Sequence, residues 1–378
     1  MQLEEVQFNH DPASASHDAF TICRDKTSGA IVAPEWRRTP YKREPAAYAR
    51  DAISAPVTIK ARFSGGPQNG TRKIRAIDAN EPGEQSGCGC LAFLASLIAK
   101  LVNAVFGTIG EVVAKDVTFN GSGNSGLETF TLNSPWLGPN GFISKRNTVW
   151  RWQYQQGGSW VDFDTSDHTI YVVLDLPNLP WVQSGDATQL PWAIALDQAC
   201  GWAVAKKTKD DAAAAITLAV NRVPNVTYTP MTMFGSSDYQ LASYLTHLAG
   251  PAFIMNCTDC ADAVTTLANL VGCNLAEGQF FNMQTKPFLT LAGDPNNAAA
   301  WVTFGWNYHE ICWLNDYSSN TVWDGCLQLD MSNNPGVHVA QLPAKMTFNA
   351  GNANDYKPRL IASGPGTLNT FVRHRRVV

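Results

Sequence analysis

The sequence predicts an α+β protein built as an N-terminal β-sandwich-like domain followed by an α+β domain. Three observations predict it. From Val57 to about Val173, short apolar–polar alternations are separated by turns rich in Gly, Asn and Pro, the pattern of a sandwich. After Pro180 the pattern turns helical and then returns to strand-like runs, the order of an α+β domain. The length, 378 residues, exceeds what one core usually organises, so two domains are expected.

The elements follow in order. Residues 1–55 carry few long apolar runs and several Pro, Ser and Ala, and are expected to form an irregular lead-in. Residues 56–178 supply the sandwich-like strands, with Val57–Phe63, Lys73–Ile77, Val117–Asn120, Thr129–Leu132, Val149–Tyr154 and Ile170–Leu174 as its members. One segment breaks the pattern. Leu94, Leu97, Ile98, Leu101, Val102 and Val105 recur at helical spacing, which predicts an apolar helix over about 91–106. Lys100 in its middle makes it amphipathic, a helix for packing on the sandwich or on a partner; a membrane-acting helix is the alternative. Residues 185–378 form the second domain. Helices are expected over 190–205, opened by Pro191, over 210–220, with Asp210 and Asp211 at its start, and over 238–248, stopped by Gly250 and Pro251. Strand-like runs come next at Trp301–Tyr308 and Thr321–Leu329.

Composition narrows the function classes. Hydrophobic residues make up 45% and charged residues 16%, which argues against a disordered chain. The formal net charge of -4 lacks the basic surplus of a general nucleic-acid binder, so no nucleic-acid partner is expected. Basic runs at Arg37–Arg43 and Arg373–Arg376 read as solvated segments. The first residues, Met1 to Glu5, are acidic and hold no apolar signal-peptide core. Nine cysteines without a small-domain framework then read as reduced thiols in a cytoplasmic protein, although signal-independent export would leave the same sequence.

The segment that carries chemistry runs from Asn256 to Gly272. Ala261, Val264, Ala268 and Val271 lie on one face of a helix, and Gly272 is a plausible stop. Cys257 therefore opens the first turn. There, unpaired backbone N–H groups and the positive end of the helix dipole favour a thiolate, hence a nucleophile of lowered pKa, and can donate to an oxyanion. Such a thiol needs a base, and the base needs an orienter. His309 ends one strand-like run and Asp324 lies fifteen residues later in another. Antiparallel neighbours joined by the polar turn 315–320 would set them side by side. Asp330, farther along the same run, is the alternative orienter.

These residues resemble the transglutaminase-like superfamily, a branch of the papain-like fold. The resemblance covers residues 250–330 and rests on Cys257, Thr258, Asp259, Ala261, Leu267 and Gly272, followed by His309 and Asp324 in that order. It implies a papain-like α+β catalytic domain with a Cys257–His309–Asp324 triad that forms an acyl-enzyme at an amide. Transglutaminase, deamidase and peptidase chemistry, an acyltransferase or a hydrolase, remain equally open. The substrate would be a protein or peptide amide, and no cofactor is required. Two positions depart from the family pattern: Ile311 stands where a Trp often follows the His, and Gly325–Cys326 follow the Asp. Other uses of the same chain are a non-catalytic binding protein on this fold, and a Cys₃His zinc-binding domain formed by Cys257, Cys260, His309 and Cys312.

Overall fold

Alternation organises the first unit, which comprises Met1–Arg24 and Ser28–Leu176; the second comprises Asp25–Thr27 and Pro177–Val378. The computed structural model describes residues 1–79, 110–134, 137, 140–181, 189–294, 301–315, 320–334, 336–369 and 373–378. The 91–106 helix expected from the sequence lies outside the described residues.

In the first unit the strands are β1 (Gln2–Gln7), β2 (Trp36–Arg37), β3 (Lys42–Arg43), β4 (Ala46–Ala49) and β5 (Thr58–Ser64). They continue with β6 (Thr71–Asp78), β7 (Glu111–Thr118), β8 (Glu128–Asn133), β9 (Ser144–Gln156) and β10 (Ser159–Val173). They form one sheet in the order β3-β2-β1-β5-β8-β7-β6-β9-β10-β4. The sheet curls over itself. β8 pairs with β5 through Glu128–Thr131 and with β7 through Leu132 and Asn133. Far along the sheet, the Trp36 indole donates to Asp167 on β10 at 3.2 Å, and the Leu3 amide donates to Asp164 at 2.7 Å. Ile59, Ala61 and Phe63 of β5, Ile74 and Ala76 of β6, Trp150 and Trp152 of β9, and Ile170 and Val172 of β10 fill the interior. Each strand thus sends alternate residues inward, as a two-faced sheet requires.

The irregular lead-in expected over 1–55 is a misreading. β1 pairs with β5, and its Leu3 and Val6 are fully buried. The inward residues stand three apart because the register shifts between Leu3 and Glu5. A bulge of this kind breaks the period-two signal by which a strand is read from sequence.

The second unit holds helices α1 (Ala193–Trp202), α2 (Lys209–Asn221), α3 (Leu241–Leu248), α4 (Cys257–Leu270) and the short α5 (Tyr356–Leu360). Its strands begin with β11 (Val226–Tyr228), β12 (Asp238–Tyr239), β13 (Phe253–Met255), β14 (Leu275–Thr285) and β15 (Phe288–Leu289). They go on through β16 (Gly305–Leu314), β17 (Thr321–Trp323), β18 (Gln328–Asp330), β19 (Ala340–Gln341), β20 (Ala344–Thr347), β21 (Ile361–Ser363), β22 (Thr367–Leu368) and β23 (Arg376–Val377). The main sheet runs β20-β17-β16-β14-β21, with β22 also on β14. β14 and β16 pair antiparallel, setting Phe280 opposite His309 and Gln279 opposite Glu310. α4 packs on β14 and β16 and also meets α1 and α2. Every residue of α4 is buried. The molecule is therefore α+β. Among the described residues no helix is long and apolar enough to cross a membrane.

Candidate functional site

The first turn of α4 is held by an unusually complete set of caps. The Asn256 side chain accepts from the Asp259 amide at 3.0 Å, and the Asp259 carboxylate accepts from the Asn256 amide at 3.1 Å, a reciprocal capping box. The same carboxylate accepts from the Thr232 hydroxyl and the amides of Met233, Phe234 and Gly235 at 2.6–3.0 Å. The loop 232–236 is thereby wrapped onto the helix start. Gly235 makes the close approach feasible, since a Cβ there would lie 2.1 Å from Asp262 Oδ2 and 2.8 Å from Thr258 Cγ2. At the far end, Gly272 with φ 93° follows the C-cap Val271, the left-handed stop expected from the sequence.

His309, near the middle of β16, is fully buried. Its Nε2 lies 2.9 Å from Asp324 Oδ2. Asp324 follows the last residue of β17, and its carboxylate also accepts from the Tyr356 hydroxyl at 2.7 Å and from the Cys326 amide at 2.7 Å. Facing a carboxylate that only accepts, the imidazole carries its proton on Nε2 and donates it in the hydrogen bond. That leaves the lone pair on Nδ1, which is buried without a hydrogen-bond partner. The imidazole is further fixed by Trp306, stacked on it at 4.5 Å between ring centroids, and by Phe280, edge-on at 5.5 Å. Asp330, the alternative orienter, is engaged elsewhere, accepting from His338 Nδ1 at 2.8 Å and from the amides of Ser332 and Val339.

Cys257 is 6% exposed. The hydroxyl of the next residue, Thr258, donates to the carboxylate of Glu310, the residue after His309, and the charges of Glu310 and Asp324 reach the thiol. No hydrogen bond joins Cys257 to His309. The structure thus brings His309 and Asp324 into direct contact and sets Cys257 in the same neighbourhood without bonding it to the imidazole. The lowered thiol pKa expected from the helix terminus is not found. Burial pushes the Cys257 thiol up, and the nearby negative charge of Glu310 adds to it, against the opposing effect of the Glu310 backbone. Desolvation of a charge outweighs a half-charge helix dipole when the sulfur is this enclosed.

Around these three lie residues that sequence reasoning passes over. Tyr356 comes from a five-residue helix 32 positions beyond Asp324, with no spacing signal to mark it. Tyr228, on β11, has its phenol pushed up by burial and then by the proximity of Cys326, Cys257, Cys260 and Asp324. Burial raises the thiols of Cys260 and Cys326, and each bears on the other. The Cys₃His arrangement does not assemble. Cys312 is bonded to Thr265 and to the Ala261 carbonyl, and His309 to Asp324. Among the described residues no group of three or more potential ligands converges on a metal position. An open cavity of about 740 Å³ lies elsewhere in the unit, lined by Trp202, Leu218, Arg222 and Ala344, and includes none of Cys257, His309 and Asp324.

Neither the family models nor the curated proteins compared with the chain match it. Among solved structures, the transglutaminase of red sea bream is similar, with a TM-score of 0.41 and 12% identity over 84% of this chain and 54% of that one. The chain thus spans about half the length of that protein. A likeness this distant assigns no activity, so any functional reading rests on the geometry around Cys257, His309 and Asp324.

Proposed function

We propose that the protein is a cysteine acyl-transfer enzyme acting on a protein or peptide amide. Cys257 is the nucleophile, His309 the general base and then the general acid, and Asp324 the orienter. The observation that carries this reading is the state of His309: buried, aligned by a carboxylate at Nε2, with an unbonded Nδ1, and followed by Glu310, whose carboxylate accepts from Thr258 beside the helix-opening thiol. A buried imidazole that only packed a core would be expected to satisfy both nitrogens.

In the reaction, Nδ1 takes the Cys257 proton as the sulfur attacks the amide carbonyl. The tetrahedral oxyanion rests against the open amides at the start of α4, including that of Cys257. Collapse breaks the C–N bond, and the imidazolium gives its proton to the leaving ammonia or amine. Water or an amine then attacks the thioester, returning the proton to the sulfur. Because the resting thiol is held up by burial, proton transfer accompanies attack rather than preceding it. The sulfur must also meet Nδ1. Catalytic hydrogen bonds are often long before substrate binds.

A second reading has one observation in its favour. Cys257, His309 and Asp324 are 6%, 0% and 1% exposed, a closure that suits a non-catalytic protein on the same scaffold as well as an enzyme that opens. Incubation with glutamine-containing peptides, with and without a primary amine, separates the two. Ammonia release that disappears in Cys257→Ala supports the enzyme. Release that is unchanged by that substitution, or absent from the parent across varied peptides, supports the non-catalytic reading. Amine incorporation distinguishes transfer from hydrolysis.

A further inference from the structure

A cluster of buried charges lies beside the candidate site and has no part in the proton transfers above. Arg375, near the C-terminus, is 8% exposed. Its Nη1 donates to Asp262 Oδ1 at 2.7 Å, Glu277 Oε2 at 2.5 Å and Glu310 Oε1 at 3.0 Å, and its Nη2 donates to Glu310 Oε2 at 3.2 Å. Its Nε donates to the Ser236 carbonyl at 3.1 Å. The three acids come from three elements: Asp262 from α4, Glu277 from β14 and Glu310 from β16. Arg373 adds a weaker ion pair to Glu310 at 3.8 Å and donates to Gln279 at 2.8 Å.

One guanidinium cannot neutralise three buried carboxylates. Burial raises Asp262 to about 7, and Glu277 is also raised, first by burial and then by Asp262. Glu310 goes the other way. Burial works to raise it, but the charge of Arg375 and hydrogen bonds from Arg375, Gln279 and Thr258 bring it below its ordinary value. Arg375 is thus the partner that keeps Glu310 ionised.

Glu310 is placed to matter. Its carboxylate accepts from the Thr258 hydroxyl at 2.8 Å, one residue from Cys257, and from Gln279 at 2.9 Å. It directly follows His309. One residue therefore ties the thiol-bearing turn of α4 to the imidazole-bearing strand β16.

We propose that Arg375 is a positioning residue for the Cys257–His309 pair and that it acts through Glu310. The fork of the guanidinium fixes both carboxylate oxygens of Glu310, and that carboxylate fixes the Thr258 side of the first helical turn. Without the fork, Glu310 turns or takes up a proton, and the first turn of α4 loses its tie to the strand that bears the imidazole. This inference rests on the reading of Cys257 and His309 given above.

The experiment compares Arg375→Met, Arg375→Lys and Thr258→Val with the parent. It reads kcat and KM on a glutamine-containing peptide, and the pH profile of Cys257 alkylation by chloroacetamide. Displacement of a reacting group by about 1 Å can cost on the order of 10²-fold. The account predicts that Arg375→Met lowers kcat by about tenfold or more with KM little changed, and alters the alkylation profile. Arg375→Lys, which keeps the charge but not the fork, recovers part of the loss. Thr258→Val leaves Arg375 and its acids intact, so it provides the same test should Arg375→Met fail to fold. It predicts the same loss in kcat rather than in KM. If folded Arg375→Lys and Thr258→Val match the parent in both readouts, the positioning role is overturned. If instead the parent profile is identical to that of His309→Ala, the assignment of the reacting pair falls, and this proposal with it.

Discussion

His309 Nε2 and Asp324 Oδ2 lie 2.9 Å apart, with neither side chain more than 1% exposed, and the same carboxylate oxygen accepts from the Tyr356 hydroxyl. The carboxylate thus fixes the imidazole tautomer, and Tyr356 fixes the carboxylate. Asp324→Asn should preserve the shape while presenting the ring with a donor in place of an acceptor. We expect kcat to fall about 10²–10⁴-fold with KM little altered, measured by peptide kinetics. An undiminished kcat would show that Asp324 does not orient the base. Tyr356→Phe should cost less, about 1 kcal/mol in stability and under tenfold in kcat.

The thiol at the head of α4 predicts a distinctive pH dependence. Burial and the charge of Glu310 raise Cys257, so at neutral pH it is protonated unless a base removes the proton. In His309→Ala, chloroacetamide labelling of Cys257 should be slow at pH 7 and climb only in the alkaline range. In the parent it should be about tenfold faster or more at pH 7, because the imidazole accepts the proton. Superimposable profiles for the two proteins would remove His309 from the reaction.

Asp259 supports a different outcome, one of stability. Its carboxylate accepts from four backbone amides, those of Asn256, Met233, Phe234 and Gly235, and from the Thr232 hydroxyl. Asp259→Ala removes the acceptor of the Asn256, Met233 and Phe234 amides, while Gly235 and Thr232 keep each other as partners, at about 1–3 kcal/mol for each buried donor left unsatisfied. The urea midpoint should drop by an amount equivalent to about 3 kcal/mol or more, and Asp259→Asn should recover part of it. A change under about 0.5 kcal/mol, the size of an ordinary surface substitution, would contradict the role of this residue as the organiser of the helix start.

The buried thiols also set an alkaline limit. Burial raises Cys257, Cys260, Cys273, Cys312 and Cys326, Cys273 to about 12. A thiol whose folded pKa lies above its unfolded value of about 8.5 favours the fold only while protonated. Its contribution is whole below about pH 8.5 and is lost as pH rises through the folded value. Urea midpoints should therefore be flat from pH 7 to 8 and fall from pH 9 to 10.5. A midpoint that held through pH 10.5 would contradict the burial of these side chains.

Much of this architecture is legible in the sequence, and the failures have physical causes. The α4 segment is readable because Ala261, Val264, Ala268 and Val271 keep helical spacing up to a glycine stop. The pairing of His309 with Asp324 is readable because β16 and β17 are sequential antiparallel strands, close in sequence and registered at Cys312 and Trp323. β1 escapes notice because its bulge hides the alternation of Leu3 and Val6. Tyr356 and Arg375 escape for another reason. They reach the site from the far end of the chain, and tertiary contacts of that range leave no periodic trace. The thiol pKa is misjudged because a helix terminus can be seen in a sequence, whereas the depth at which its first residue is buried cannot. Arg375 makes the point most clearly: read as part of a solvated basic tail, it lies instead among three acids.

The central claim is that Cys257 forms an acyl-enzyme with help from His309. The most direct measurement is a single-turnover reaction with p-nitrophenyl acetate, quenched in acid and followed by mass spectrometry of the intact protein and its peptides. The account predicts a burst approaching one equivalent of p-nitrophenolate and an acetyl group on Cys257, with the burst strongly slowed in His309→Ala and the adduct lost in Cys257→Ala. Acetylation spread over other nucleophiles at the same rate in all three proteins, with Cys257 unmodified, would contradict it.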